Sequence, residues 1–419
     1  MRWQSRRFRW LGRRLVHPDK RRIVVITGAR QTGKTTLARR RYPSLRYHNL
    51  DDLDVRAQLA DVSARGWAES VGTAILDEAQ KEPRVFDKVK YAYDAGEIDF
   101  SVLLGSSRIL LLERVRETLA GRAFLFELWP LLLSEILHDE DAAPELPLIG
   151  RLLEEGASLD AVLRAMPEVL VGSPGAERRE ALEHLATWGG MPELLRLDDR
   201  DRREWLRSYQ QTFLERDLSD LVRLADLEPF RSLQKLCMLR SGKLLSYSEI
   251  ARDAGIGAST ARRYLEYLRI SYQVVLLQPF SRNLTSSVVK SPKLYWVDLG
   301  LLRQGTRQWG ELTGELFESL VVGELHKWVG TMSPDTDVTF YRTRSGLEVD
   351  LLVTAPAGTI GIEIKKRSRT SGVDLRGLRL IARALDREWA GGLVVYRGDR
   401  VVCLDERAAI WAVPAHRLF

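Results

Sequence analysis

The feature that most constrains this chain is an eight-residue segment, Gly28-Ala29-Arg30-Gln31-Thr32-Gly33-Lys34-Thr35, set between an apolar run at residues 23–26 and a helix-favouring run at 34–41. Its spacing, G-x-x-x-x-G-K-[ST], supplies glycines so that backbone N–H groups can curl around phosphates, a lysine for the terminal phosphates and a hydroxyl for magnesium. From residue frequencies, a chance match in a chain this long has odds on the order of one in a hundred. The segment predicts a parallel α/β nucleotide-binding domain with ATP and Mg2+ as cofactors. The residues in contact with nucleotide are then Gly28, Ala29, Arg30, Gln31, Thr32, Gly33, Lys34, Thr35 and Thr36.

Two later strand ends extend this chemistry. The apolar run at 73–76 ends in Asp77 and Glu78, which places Asp77 with Thr35 as a Mg2+ ligand and Glu78 where it can activate water. The run at 102–104 ends in Gly105-Ser106-Ser107, and Ser106 is suited to holding the attacking water. Arg122 and Arg216 are candidates to reach the phosphates of a neighbouring subunit, with a salt-bridged surface role as the alternative for each.

At 419 residues the chain is too long for one ordinary core, which predicts two to three domains. A composition of 45% hydrophobic and 29% charged residues is that of a folded protein. No uninterrupted apolar stretch approaches the roughly 20 residues that span a bilayer, and arginines break the first 22 residues, so the expectation is a cytoplasmic protein without membrane contact. With Cys237 and Cys403 the only cysteines and six scattered histidines, neither a disulfide framework nor a structural zinc site is expected. The net charge of +7 suits a polyanionic partner.

The expected organisation begins with a basic arm or helix at 1–21. There Arg2, Arg6, Arg7, Arg9, Arg13 and Arg14 alternate with Trp3, Phe8, Trp10 and Leu11. That mixture either grips nucleic acid by phosphate and base stacking or forms an amphipathic helix laid on the next domain. A parallel-sheet core follows at 22–137, then a helical lid with an insertion at 138–229. Three short helices and a strand at 230–300 have the order of a winged helix-turn-helix, with Arg262 and Arg263 exposed on the second helix of the pair as candidate DNA contacts. The last domain, 311–419, reads as helix, three strands, helix, strand.

Taken together, Gly28 to Leu37, Asn49-Leu50-Asp51-Asp52, Ile75 to Gln80, Leu104 to Ser107, Leu119 to Ala123, Gly189 to Glu193, Glu215 to Leu218, Lys290 to Tyr295 and Tyr341-Arg342 resemble the AAA-type P-loop ATPases that carry a C-terminal domain of unknown function. The resemblance implies an ATPase core, a winged-helix region and a C-terminal restriction-endonuclease-like fold. In that last domain Asp350, Glu363 and Lys365, with Glu318 or Glu324 from the preceding helix, resemble a nuclease core in which Asp350 and Glu363 hold a second Mg2+. Three readings stay open there: a nuclease, a DNA-gripping domain without cleavage, and a structural relic. The expected function is a Mg2+-dependent ATPase coupled to DNA binding or remodelling, working as a homo-oligomer. The alternatives are an ATP-gated nuclease in defence or repair, and a nucleotide-controlled switch that recruits a protein partner without DNA work.

Overall fold

The computed structural model of the chain describes residues 3, 5–105, 115, 117–154, 156–212, 227–280 and 291–419; Ser106 and Arg216 lie outside the described residues. The N-terminal sheet contains β1 (Arg22–Thr27), β2 (Arg46–Asn49), β3 (Ala74–Asp77), β4 (Phe100–Gly105) and β5 (Ala123–Glu127). All pair in parallel, in the order β2-β3-β4-β1-β5. An uninterrupted apolar strand such as β1 is what a parallel sheet covered on both faces requires. Ile23 and Val25 pack with Leu76, Phe86 and Leu103 on one face, while Val24 and Ile26 pack with Ala38, Val102 and Leu104 on the other. Strand β5 departs from expectation: it is a short edge strand whose Phe124 and Leu125 stay 44% and 48% exposed, so it carries little burial pattern to read.

Helices Leu148–Leu153, Leu159–Arg164, Ser173–Trp188 and Asp199–Thr212 follow. Next come three helices, Glu228–Leu239, Tyr247–Asp253 and Ala258–Ile270, accompanied by β6 (Lys243–Leu244), β7 (Val274–Pro279) and β8 (Lys293–Trp296). Strand β8 lies between β6 and β7 and is antiparallel to both. After helices Leu299–Thr306 and Gly314–Met332 come β9 (Asp337–Arg342), β10 (Glu348–Ala355) and β11 (Gly358–Lys365), then helix Arg376–Leu385. The remaining strands are β12 (Trp389–Tyr396), β13 (Val402–Asp405) and β14 (Ile410–Pro414).

One nine-stranded sheet runs through all of this, in the order β13-β14-β12-β11-β10-β9-β7-β8-β6. The join is a short parallel pairing in which Gln278 meets Thr339 and Pro279 meets Phe340. The C-terminal strands are therefore continuous with those of the three-helix unit instead of forming a separate sheet. No helix among the described residues is long and apolar enough to cross a membrane.

The N-terminal segment takes the packed form. Only Leu11–Arg14 is helical, and Trp10, Leu11 and Leu15 are buried. Leu11 and Leu15 join the core beside β1, while Trp10 makes an edge contact with Trp328 at 5.2 Å. Trp3 packs edge-on against His184 at 5.5 Å. These rings are committed to the core, which removes them as a base-stacking platform.

Candidate functional site

The segment from Gly28 to Thr35 leaves the C-terminal end of β1, where β4 and β5 flank it. A Cβ on Gly28 would lie 2.2 Å from the Leu128 carbonyl oxygen, so no larger residue fits there without moving backbone. Gly33 has φ +96 with open space where a Cβ would be, and Gln31 has φ +61, a left-handed value that non-glycine residues rarely hold. The loop thus curls over a cradle and turns into helix Lys34–Arg41. Lys34 is buried, and its Nζ donates to the carbonyls of Gly28 at 3.0 Å and Ala29 at 2.9 Å.

The parallel topology brings the end of β3 to the same pole of the sheet. The Thr35 hydroxyl donates to Asp77 Oδ2 at 2.6 Å, and the Tyr47 hydroxyl donates to the same oxygen at 2.8 Å. Burial first, and then this bond, raise the Tyr47 hydroxyl above its ordinary pKa, so it acts as a donor. Glu78 has φ +53, and the amide of Gln80 donates to its carboxylate. A residue held off the usual backbone basins beside a candidate metal ligand is the kind of outlier that marks functional sites. The hydroxyl, the carboxylate and the adjacent acid expected from separate stretches of sequence therefore converge.

A cleft of about 1140 Å³ opens over the loop, and its walls include Arg30, Lys34, Thr35, Thr36, Glu78, Arg196 and Trp205. The N-terminal segment forms one side through Arg6, Arg7, Arg9 and Arg13. Arg9 donates to the Thr32 carbonyl at 2.8 Å and pairs with Glu135 at 3.2 Å. Glu135 also accepts from the Trp10 backbone N–H at 2.8 Å. Sequence reasoning missed Arg9 and Tyr47 as parts of this site; nothing local in their segments points to the loop they touch.

Arg122 lies elsewhere. Ile23 at the start of β1 donates to its backbone carbonyl, and β1 rises about 3.3 Å per residue toward the loop, so Arg122 sits at the opposite pole of the sheet. Its guanidinium forms a two-pronged pair with Asp94, at 2.6 and 2.9 Å. Within one chain it does not reach the cleft.

A second polar cluster forms where β8, β10, β11 and helix Gly314–Met332 meet. Asp350 and Glu363 are cross-strand neighbours, Asp350 Oδ2 accepts from the Ile364 N–H at 2.7 Å, and Lys365 pairs with Glu363 at 2.7 Å and with Asp350 at 3.7 Å. Lys293, 3% exposed, pairs with Glu318 at 3.2 Å and with Glu348, and the Tyr295 hydroxyl donates to Glu318 at 2.6 Å. Burial, reinforced by Asp350, holds Glu363 at a pKa of about 8 and raises that of Glu318. Burial works against the charge of Lys293, but Glu318, Glu348 and Asp350 outweigh it and raise its pKa.

Glu318 thus joins Asp350, Glu363 and Lys365, whereas Glu324 does not. Glu324 is buried against Lys327 and accepts from the Leu133 N–H at 2.7 Å, tying its helix to the segment after β5. Among the described residues no three His, Cys, Asp or Glu side chains form a metal-holding group. The acids here converge on ammonium groups. Glu348 was visible in sequence as the near neighbour of Asp350, and Lys293 and Tyr295 as part of the segment Lys290 to Tyr295, but their place in this cluster was not, because their partners lie on other elements. On helix Ala258–Ile270, Arg262 and Arg263 are exposed, and Arg262 lies over the Tyr247 ring at 4.4 Å.

Comparison with known proteins finds three matching domain families along the chain. Residues 20–137 match the AAA domain, residues 179–308 a domain of unknown function (DUF8612), and residues 313–418 another domain of unknown function (DUF4143). The chain therefore carries an AAA-type ATPase domain followed by a C-terminal DUF4143 domain. Uncharacterized proteins of Mycobacterium tuberculosis and Mycobacterium bovis are each 28% identical over 407 residues, covering 94% of this chain and 80% of the relative. Among solved structures, a signal transduction ATPase with numerous domains from Pyrococcus horikoshii aligns at a TM-score of 0.25 and 12% identity, over 76% of this chain and 44% of that one. AMPPCP-bound DnaA from Aquifex aeolicus aligns at a TM-score of 0.23 and 16% identity, over 61% of this chain and 82% of that one.

Proposed function

We propose that the chain is a Mg2+-dependent ATP hydrolase that works as a homo-oligomer in association with DNA. The observation that carries the hydrolase reading is the Thr35–Asp77 contact at 2.6 Å under the phosphate loop, with Glu78 next in sequence. The curled loop fits a phosphate chain, and the hydroxyl–carboxylate pair fits a hard oxygen-seeking cation. Bound ATP with Mg2+ would supply the phosphoanhydride bond to be broken. Lys34 and the loop N–H groups would hold its phosphates, Thr35 and Asp77 the metal, and Glu78 would orient and deprotonate water. Arg9, in the wall of the cleft, would brace the loop through Thr32. Arg122, held by Asp94 at the far pole of the sheet, fits the salt-bridged alternative.

The test is phosphate release with Mg2+ and ATP. Lys34→Ala is expected to lower turnover about a hundredfold or more, the scale of losing one preorganised charge contact in a phosphoryl site. Turnover unchanged by that substitution would refute the assignment.

For DNA, the support is the three-helix, three-strand unit at 228–296, which we read as a winged helix-turn-helix with Arg262 and Arg263 on its exposed recognition helix. We read the C-terminal domain as restriction-endonuclease-like and as holding DNA without cutting it, because Lys293 and Lys365 neutralise the acids that a metal would need. Arg262→Ala with Arg263→Ala is expected to weaken duplex binding and flatten its salt dependence. Mg2+- or Mn2+-dependent cleavage abolished by Asp350→Ala would instead make the chain an ATP-gated nuclease. ATP turnover unmoved by single-stranded, duplex or branched DNA would favour the protein-recruiting switch.

A further inference from the structure

We propose that the cleft between helices Asp199–Thr212 and Glu228–Leu239 is a second polyanion site, and that it takes the sugar-phosphate backbone of a single nucleic-acid strand. The proposal rests on the reading of DNA association given above, and assigns to it a surface separate from the helix that carries Arg262 and Arg263.

The cleft has a volume of about 750 Å³, and Arg203, Arg207, Arg231, Lys235 and Arg307 line it together with Trp309 and several glutamine amides. Among the described residues, no acidic side chain lines it. Helical spacing explains the clustering. Arg203 and Arg207 are four residues apart on one helix, as are Arg231 and Lys235 on the other, so each pair projects from a single face. The turn after helix Leu299–Thr306 adds Arg307 from a third segment. All five cations are exposed.

Arg207 is answered by Glu204 at 2.8 Å, and Arg231 by Glu228 at 3.9 Å. Among the described residues, Arg203, Lys235 and Arg307 have no carboxylate partner. Like charges gathered around one concavity repel, and a folded chain that keeps them there presents a standing attraction for an anion. Because the cations come from three segments spread along the cleft, a chain of phosphates matches them better than one small anion.

Two further features point the same way. Arg307 stands at the C-terminal cap of its helix with φ +57 and ψ +29, a left-handed position where glycine is the usual residue. A long cation held in that strained conformation, with its side chain lining the cleft, is an outlier that geometry alone does not require. Trp309 is half-buried, lies beneath the Arg203 guanidinium at 5.3 Å, packs tilted against Trp188 at 5.4 Å and presents its remaining surface at the cleft wall. A cationic groove with an aromatic side chain in it is the arrangement that binds single strands without sequence preference.

The experiment uses the full chain and a labelled mixed-sequence oligodeoxynucleotide, single-stranded or annealed, with binding followed by fluorescence anisotropy across a salt series. Against wild type, the triple variant Arg203→Gln, Lys235→Gln, Arg307→Gly is expected to bind the single strand at least about tenfold more weakly. The slope of log K against log salt should shrink by about 2, because each single-strand phosphate contact contributes about 0.7. Arg307→Gly alone removes one cation while relaxing the backbone, so it should shrink the slope by about 0.7 without lowering the melting temperature. It therefore decides the question even if the triple variant does not fold. Wild-type affinity and slope in the variants would overturn the cleft while leaving DNA association intact. Failure of the wild-type chain to bind either DNA form would overturn DNA association, and the cleft with it.

Discussion

The phosphate loop and the C-terminal carboxylate cluster are both built from buried charges at strand ends, yet they resolve those charges in opposite ways. At the loop, Lys34 donates to backbone carbonyls of its own turn, and the Thr35–Asp77 pair sits at the edge of an open cleft. In the C-terminal cluster, Lys293 and Lys365 meet Glu318, Glu348, Asp350 and Glu363 within the protein itself. A site whose charges are balanced internally has little left with which to bind a cation, whereas a cradle of N–H groups has phosphates still to meet. On the proposed function, the difference separates a place for chemistry from a place where charge fixes the geometry of a sheet.

The largest expected effect tests the closed cluster. Lys293→Met would leave half-buried Glu318 without its ammonium and Glu348 with Arg342 alone, and losing one partner of such a pair costs at most about 3–5 kcal/mol, the scale for a fully buried one. Urea unfolding should show that loss, and adding Glu318→Gln to the same chain should restore part of it. A neutral result for Lys293→Met would mean that the cluster is open to solvent and to metal after all.

A smaller effect is expected at the open site. Gly28→Ala would press a methyl group onto the Leu128 carbonyl, and relieving such an overlap by backbone movement costs about 1–3 kcal/mol. Because the displaced backbone is the loop itself, nucleotide affinity measured by fluorescent-analogue titration should fall together with stability. Weaker nucleotide binding with unchanged stability would mean that the loop rearranges without help from the strand behind it.

The effect that is smallest near neutral pH, and that grows only in acid, belongs to a buried histidine. Burial pushes the His184 imidazole down to a pKa of about 3, well below its unfolded value near 6.5. The unfolded chain therefore takes up this proton first as pH falls. The stability contributed by neutral His184 is complete above about pH 6.5 and is lost progressively toward pH 3, at a slope of at most about 1.4 kcal/mol per pH unit. His184→Leu should flatten that part of the urea-midpoint profile. An unchanged profile would assign the acid sensitivity to other groups.

How much of this was legible in sequence depended on how local the cause was. The loop, β1, Asp77 and Glu78 were readable because each is a short run ending in a characteristic residue, and parallel topology then carries separate strand ends to one pole. The helix acid was half readable. Sequence left Glu318 and Glu324 as alternatives; the partner of Glu324 is Lys327 one turn further on, together with a backbone N–H from Leu133, and Glu318 is the acid that turns toward Asp350. Arg9 on Thr32, Lys293 among carboxylates from two other elements, and the joining of β7 to β9 were not readable. Each is a contact between distant segments with no periodic signal in either one. Strand β5 escaped for a different reason: its apolar residues are partly exposed at a sheet edge, so their pattern does not announce burial.

The most direct test of the account is Mg2+-dependent phosphate release from ATP, compared in wild type, Glu78→Gln and Asp350→Ala. The account expects Glu78→Gln to lose turnover by about a hundredfold or more, the usual scale for a general base, while Asp350→Ala keeps it. Turnover that survives Glu78→Gln, or that disappears with Asp350→Ala, would contradict the assignment of the chemistry to the phosphate loop.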